Sequence, residues 1–208
     1  MRVLEEKDLQ KAFLELKDDD VLIRCDAAAS LYEYNEDEKV KEALKEALND
    51  SNYLVRCEAC DSLYGLNDRD ILDCLLKALK KERSAIARMY IVSTVSSVLK
   101  EAGIAENEKS LLISLAEKEE SKRVIIAYQA LLYLIDRDKD HILKALSYLN
   151  DPNYHIRCNA VNLVYDAADE EVLDIVISGF EERLKAEKVF CVEDLLKKCL
   201  EELKQSKT

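Results

Sequence analysis

The sequence predicts an all-α protein, a right-handed α-solenoid of about six stacked antiparallel helix pairs. Three observations lead there. A ten-residue phrase recurs, as DDDVLIRCDA from Asp18 to Ala27, DSNYLVRCEA from Asp50 to Ala59 and DPNYHIRCNA from Asp151 to Ala160. Diverged copies run from Glu82 to Ile91 (ERSAIARMYI) and from Glu119 to Tyr128 (EESKRVIIAY). The period is fixed: Arg24, Arg56 and Arg88 are 32 residues apart, and Arg157 lies 32 residues beyond Ile125, which fills the fourth arginine slot. Chain breakers are scarce, with three Gly and one Pro in 208 residues, which fits helices joined by tight polar turns and opposes a many-stranded β fold. A period of this size marks small units that each need a neighbour to bury an apolar face.

Each unit reads as two helices. First helices are expected near 5–17, 38–49, 70–80, 108–118, 138–149 and 169–187, and second helices near 21–33, 53–64, 85–101, 122–134, 154–166 and 191–204. In the second unit Val40, Ala43, Leu44, Ala47 and Leu48 share one helical face. Asp50-Ser51-Asn52 is a polar turn that supplies a cap to the following helix. Five extra residues separate the third and fourth arginine slots, and the stretch AGIAENE around Gly103 is expected to absorb them as a longer loop or an extended helix. The last helix carries one apolar stripe, Val192, Leu196, Cys199 and Leu203, among Lys197, Lys198, Glu201 and Lys204, as a terminal unit with a wet outer face requires. No shift in composition marks a linker, so residues 1–208 read as a single repeat domain.

Composition narrows the function. With 49% hydrophobic residues the chain can bury a substantial core. Its net charge of -12 repels phosphate backbones and excludes general nucleic-acid binding, while it can steer a basic protein partner. The N-terminal MRVLEEKDLQKAF holds no apolar signal core and no apolar run is long enough to span a bilayer, so a cytoplasmic protein without membrane contact is expected. Seven cysteines in such a chain are expected to be reduced. Cys25, Cys57 and Cys158 share one repeat slot, which indicates packing, and Cys57-x-x-Cys60 lacks the second pair of a zinc site.

The shared pattern D-x-x-x-x-[VI]-R-x-x-A-x-x-x-L resembles the core of short HEAT-like repeats, well around Arg24, Arg56 and Arg157 and weakly in two further units. The signatures of tetratricopeptide and ankyrin repeats are absent. The resemblance implies an acid–arginine ladder of Asp18/Arg24, Asp50/Arg56, Glu82/Arg88 and Asp151/Arg157, each pair six residues apart. The acid lies in the turn, where it can cap the helix and accept from an arginine of its own or the adjoining unit. Ile125 should interrupt this ladder. Ala27, Ala59 and Ala160 allow close helix approach, with Ile91 and Tyr128 reorganising the packing in the weaker copies, and Tyr32, Tyr64, Tyr133 and Tyr165 share a slot expected to pack between repeats.

In HEAT proteins the second helices line the concave face. The slots two, five and nine residues after each arginine should therefore project into it. They hold Asp26, Ala29 and Glu33, then Glu58, Asp61 and Gly65, then Tyr90, Ser93 and Ser97, then Ala127, Ala130 and Leu134, then Asn159, Asn162 and Asp166. The candidate contacts are Asp26, Glu33, Glu58, Asp61, Tyr90, Asn159, Asn162 and Asp166, with an apolar patch in the fourth unit. No catalytic residue, metal site or cofactor is expected: His141 and His155 stand without ligand pairs, and the glycine-rich phosphate loops and the nucleophile elbow are missing. The reading is a non-enzymatic module that binds a protein with a basic surface. Two alternatives keep the scaffold: an acidic inhibitor or immunity protein for a basic toxin, and a lyase-type enzyme. Alkylpurine DNA glycosylases of HEAT-like fold require a basic groove, which this chain lacks.

Overall fold

The computed structural model describes residues 6–66 and 68–206. They divide into two compact units, one ending at Gly103 and the other starting at Ile104. The first holds α1 (Glu6–Glu15), α2 (Val21–Ser30), α3 (Glu38–Ala47), α4 (Tyr53–Leu63), α5 (Arg69–Leu79) and α6 (Ala85–Ala102). The second holds α7 (Glu106–Ala116), α8 (Lys122–Asp136), α9 (Lys139–Ser147), α10 (Tyr154–Ala167), α11 (Leu173–Ala186) and α12 (Phe190–Gln205). Short 3-10 turns follow α2 at Leu31–Tyr34 and α9 at Tyr148–Asn150, and no strand occurs among the described residues. None of these helices is long and apolar enough to cross a membrane.

Within each unit the second helices form one layer, α2 on α4 on α6 and α8 on α10 on α12, and each first helix packs on the second helix of its own pair. The buried slots are those the repeat phrase marks. Val55, Ala87, Val124, Ile156 and Val192 lie just before the arginine position, and Ala27, Ala59, Ile91, Tyr128 and Ala160 three after it. The bulky Ile91 and Tyr128 are as deeply buried as the alanines they replace. Ile23 departs from its column, at 37% exposed.

Helix starts follow a two-step turn. The ladder acid accepts the backbone N–H two residues on: Asp18 from Asp20, Asp50 from Asn52, Glu82 from Ser84 and Asp151 from Asn153. That second residue then caps the helix, Asp20 on Leu22, Asn52 on Leu54, Ser84 on Ala87 and Asn153 on His155. The acids therefore shape the turns and do not themselves cap the helices, because the cap position falls two residues later. The five extra residues lengthen α6, which ends at Gly103 with φ +68°, a backbone region in which only glycine is unstrained. Helix α11 begins at Leu173, later than expected, because Asp169 closes a turn by accepting the Glu171 N–H at 3.1 Å.

Candidate interaction site

The arginines stitch adjacent pairs together. Arg24 donates from Nε and Nη2 to the two oxygens of Asp50 at 2.8 and 3.0 Å, and from Nη1 to the carbonyls of Asp18 and Asp19. Arg56 does the same to Glu82 at 2.6 and 2.7 Å, with Asp50 and Ser51 supplying the carbonyls. Arg157 grips Glu187 at 2.8 Å through both nitrogens, with Asp151 and Pro152 behind it. Arg88 keeps the carbonyl contact, on Arg83 at 2.8 Å. Each of these guanidiniums thus spends one nitrogen on its own turn, and in the three resolved rungs the planar fork faces the carboxylate of the next pair. The acid and arginine of one phrase are neighbours in sequence but belong to successive rungs.

Two parts of this ladder escape the repeat phrase. Where Ile125 removes the arginine, Lys122 one helical turn earlier reaches Asp151 at 2.6 Å, so that rung is bridged by an ammonium. Lys122 lies three residues before the empty slot and therefore on the same helix face, the one signal that could have found it. The last acid is Glu187, placed 36 residues after Asp151 and so out of register with a 32-residue search. Its side chain is 1% exposed and also takes Arg183. Burial pushes its carboxyl up, but Arg157, the amides of Val189 and Lys188, and Arg183 together hold it at about 2.

A second set of bonds crosses between pairs. Tyr133 donates its hydroxyl to Asp169 at 2.6 Å, and the Arg137 guanidinium meets the other oxygen while lying over the Tyr133 ring. Tyr165 bonds Glu202 in the same way. In the first unit Ser62 and Thr94 donate to the carbonyls of Ala28 and Cys60 on the preceding second helix. The tyrosine slot is thus a polar tie as well as packing in two members, while Tyr32 is 56% exposed.

The expected contact residues fall into three environments. Asp26, Glu33, Asp61, Asn162 and Asp166 are exposed, and Glu58, Tyr90 and Asn159 are half-buried. Asn159 Nδ2 is buried without a hydrogen-bond partner among the described residues. Ala127 and Ala130 are instead buried, at 1% and 4% exposure, so the fourth unit offers no apolar patch at those slots. In that helix the small residues serve close packing, which the slot arithmetic does not distinguish from exposure.

Asp26, Glu58 and Asp61 stand apart electrostatically. Burial and then Asp26 raise the Glu58 carboxyl, and although the Asp61 side chain is largely exposed, desolvation of its carboxyl against the helix layer and then Glu58 raise it to about 6. None of the three pairs with a lysine or arginine among the described residues, whereas Asp50 and Glu82, against the pull of burial, are held low by Arg24 and Arg56. No group of three His, Cys, Asp or Glu side chains among the described residues is arranged to hold a metal ion. Clefts open between first helices as well. One of about 570 Å³ lies between α1 and α3, over Phe13, Leu16 and Ala47 beneath Glu42 and Glu46. Another of about 650 Å³ lies between α9 and α11, where Gly179 faces Leu146. No sequence motif points to that layer.

Comparison with known proteins bears on the fold. Residues 9–96 match the family model for HEAT repeats. No curated protein matches the sequence at a significant level. The fold is similar to that of a chain in the solved complex of CpcE and CpcF of phycocyanin lyase from Nostoc sp. PCC7120, with a TM-score of 0.53 at 14% identity over 98% of this chain and 96% of that one. Residues 9–96 are thus similar to HEAT repeats, and the likeness over nearly the whole chain shows a shared fold.

Proposed function

We propose that the chain is a non-enzymatic protein-binding module that takes a basic partner along the exposed side of its second helices, with Asp26, Glu58 and Asp61 as the electrostatic anchor. One observation carries this reading: Asp26 raises the Glu58 carboxyl and Glu58 raises that of Asp61, with no cation on any of the three among the described residues, whereas Asp50, Glu82 and Glu187 are each paired with an arginine. A lysine or arginine brought by a partner relieves that repulsion, so binding strengthens as Asp61 ionises above about pH 6. In the same unit Glu33 extends the polar surface and Tyr90 supplies a half-buried contact, and in the other unit Asn162 and Asp166 are exposed and Asn159 half-buried as candidate contacts of their own.

The test is affinity capture from the native lysate at low and moderate salt, wild type against Glu58→Lys with Asp61→Lys. A stoichiometric basic protein held by the wild type, released by salt and lost in the folded double variant is the expected result. A basic toxin among the captured species would turn the same surface into that of an inhibitor. Equal capture by both forms overturns the acidic mechanism.

The lyase reading has one observation behind it, the fold likeness to a chain of a phycocyanin lyase complex. Mixing the purified protein with a linear tetrapyrrole and following its visible absorption decides the matter. A stoichiometric spectral change would favour a chromophore-handling role over the binding module.

A further inference from the structure

The outward side of the first helix pair is built like an interior rung. Asp18 sits in the same turn as Asp50, its Oδ1 accepting the Asp20 N–H at 2.8 Å as Asp50 accepts Asn52 at 2.7 Å. Asp50 then receives both arms of Arg24, yet Asp18 receives no cation among the described residues. The apolar companion follows suit. Five residues after the acid, Val55, Ala87, Val124 and Val192 are fully buried and Ile156 is 8% exposed, while Ile23 is 37% exposed. On the other helix of the pair, Phe13, Leu16 and Lys17 face the α3 cleft. Leu14, 74% exposed, occupies the position that Glu46 takes in α3, and Glu46 is turned towards α1. Leu14 therefore belongs to the face on which a preceding helix pair would lie. Asp18, Ile23 and Leu14 together form half of a rung.

We propose that this face docks the second helix of a HEAT-like helix pair from another protein, which places an arginine on Asp18 and apolar side chains on Ile23 and Leu14. The occupant's chemistry is read from the interior rungs, where a guanidinium binds the carboxylate in a fork while burying the apolar residue five positions on. A second copy of this chain does not supply it. Two first pairs set face to face oppose one Asp18 to another, and the last pair carries Glu193 six residues after Glu187, where the arginine slot falls. The face uses residues other than the acidic anchor, so the proposal stands apart from the function proposed above.

The experiment replaces Leu14 with a photo-cross-linking benzoylphenylalanine in the full chain and irradiates it in the native lysate. Mass spectrometry then reads the attached peptide. The expected adduct is a peptide of a different protein with an arginine on an amphipathic helix. Asp18→Asn should reduce its yield about tenfold or more, the loss of a charge-assisted fork, while keeping the turn, since the amide oxygen still accepts the Asp20 N–H. Circular dichroism checks that this variant is folded. Glu58→Lys with Asp61→Lys should leave the adduct unchanged. The proposal is overturned by no adduct, by an adduct with a second copy of this chain, by one that Asp18→Asn leaves undiminished, or by one that disappears in the double variant.

Discussion

Arg56 shows how one residue serves two levels of structure. Its Nη1 ties down the carbonyls of Asp50 and Ser51 in its own turn, and its remaining fork holds Glu82, whose side chain is 3% exposed. Removing the guanidinium leaves that carboxylate buried and unpaired, so Arg56→Ala should cost about 3 kcal/mol in urea unfolding. Lys122→Ala should cost distinctly less, because the ammonium is half in water and meets Asp151 through a single contact, while the Asn153 N–H stays on that carboxylate. Arg56→Lys keeps the charge but not the fork, and should fall between wild type and alanine. Asp61 carries the opposite sign. Its folded pKa of about 6 lies above the usual carboxylate value, so the stability tied to its protonated form is full below about pH 4 and lost as pH rises through 6. Asp61→Asn should therefore stabilise the protein at pH 7, by about 1 kcal/mol after allowing for solvent screening, and leave it unchanged at pH 3.5. An equal gain at both pH values would remove the electrostatic explanation. The acid and arginine positions were legible from their spacing. Their pairing was not, since an acid in the turn can accept from its own arginine or its neighbour's, and only the stacking of pairs decides.

At the scale of elements, each helix boundary follows local chemistry. The polar cap two residues after each ladder acid starts α2, α4, α6 and α10, and the left-handed Gly103 stops α6. That a polar turn precedes each of these helices was readable, because turns act within a few residues, but the cap was expected on the acid and falls two residues after it. The late start of α11 was not readable, because Asp169 is held by Tyr133 of α8 and by Arg137 just past its end. Helix α11 also contains Gly179, where an added Cβ would lie 3.1 Å from Leu146 Cδ2. Leu146 borders an open cleft of about 650 Å³ and its tip can move into it. The helix preference of alanine, about 1 kcal/mol over glycine, should then outweigh the adjustment. Gly179→Ala is expected to raise the stability by about 0.5 kcal/mol, seen as a higher urea midpoint with an unchanged slope. A lower midpoint would mean that Leu146 is locked.

For the whole molecule, the amino-acid sequence by itself determined the class, the period and the alternation of first and second helices. The ten-residue phrase, recurring at a 32-residue period, carries the polar turn and the apolar column in each copy and the arginine in every copy but the fourth. It also determined the net charge of -12, on which the proposal of a basic partner rests. That charge makes a whole-molecule prediction: capture of a basic partner should fall steeply between low and moderate salt, and Glu58→Lys with Asp61→Lys should flatten the dependence. Tertiary structure decided what the phrase leaves open. It decided that the arginines reach forward to the next pair, that Lys122 and Glu187 complete rungs outside the register, that Ala127 and Ala130 are buried, and that Asp18 meets no cation among the described residues. The reason is physical: caps, turns and helix faces are settled by residues within a turn of one another, whereas burial and ion pairing depend on what a neighbouring pair brings to the same place.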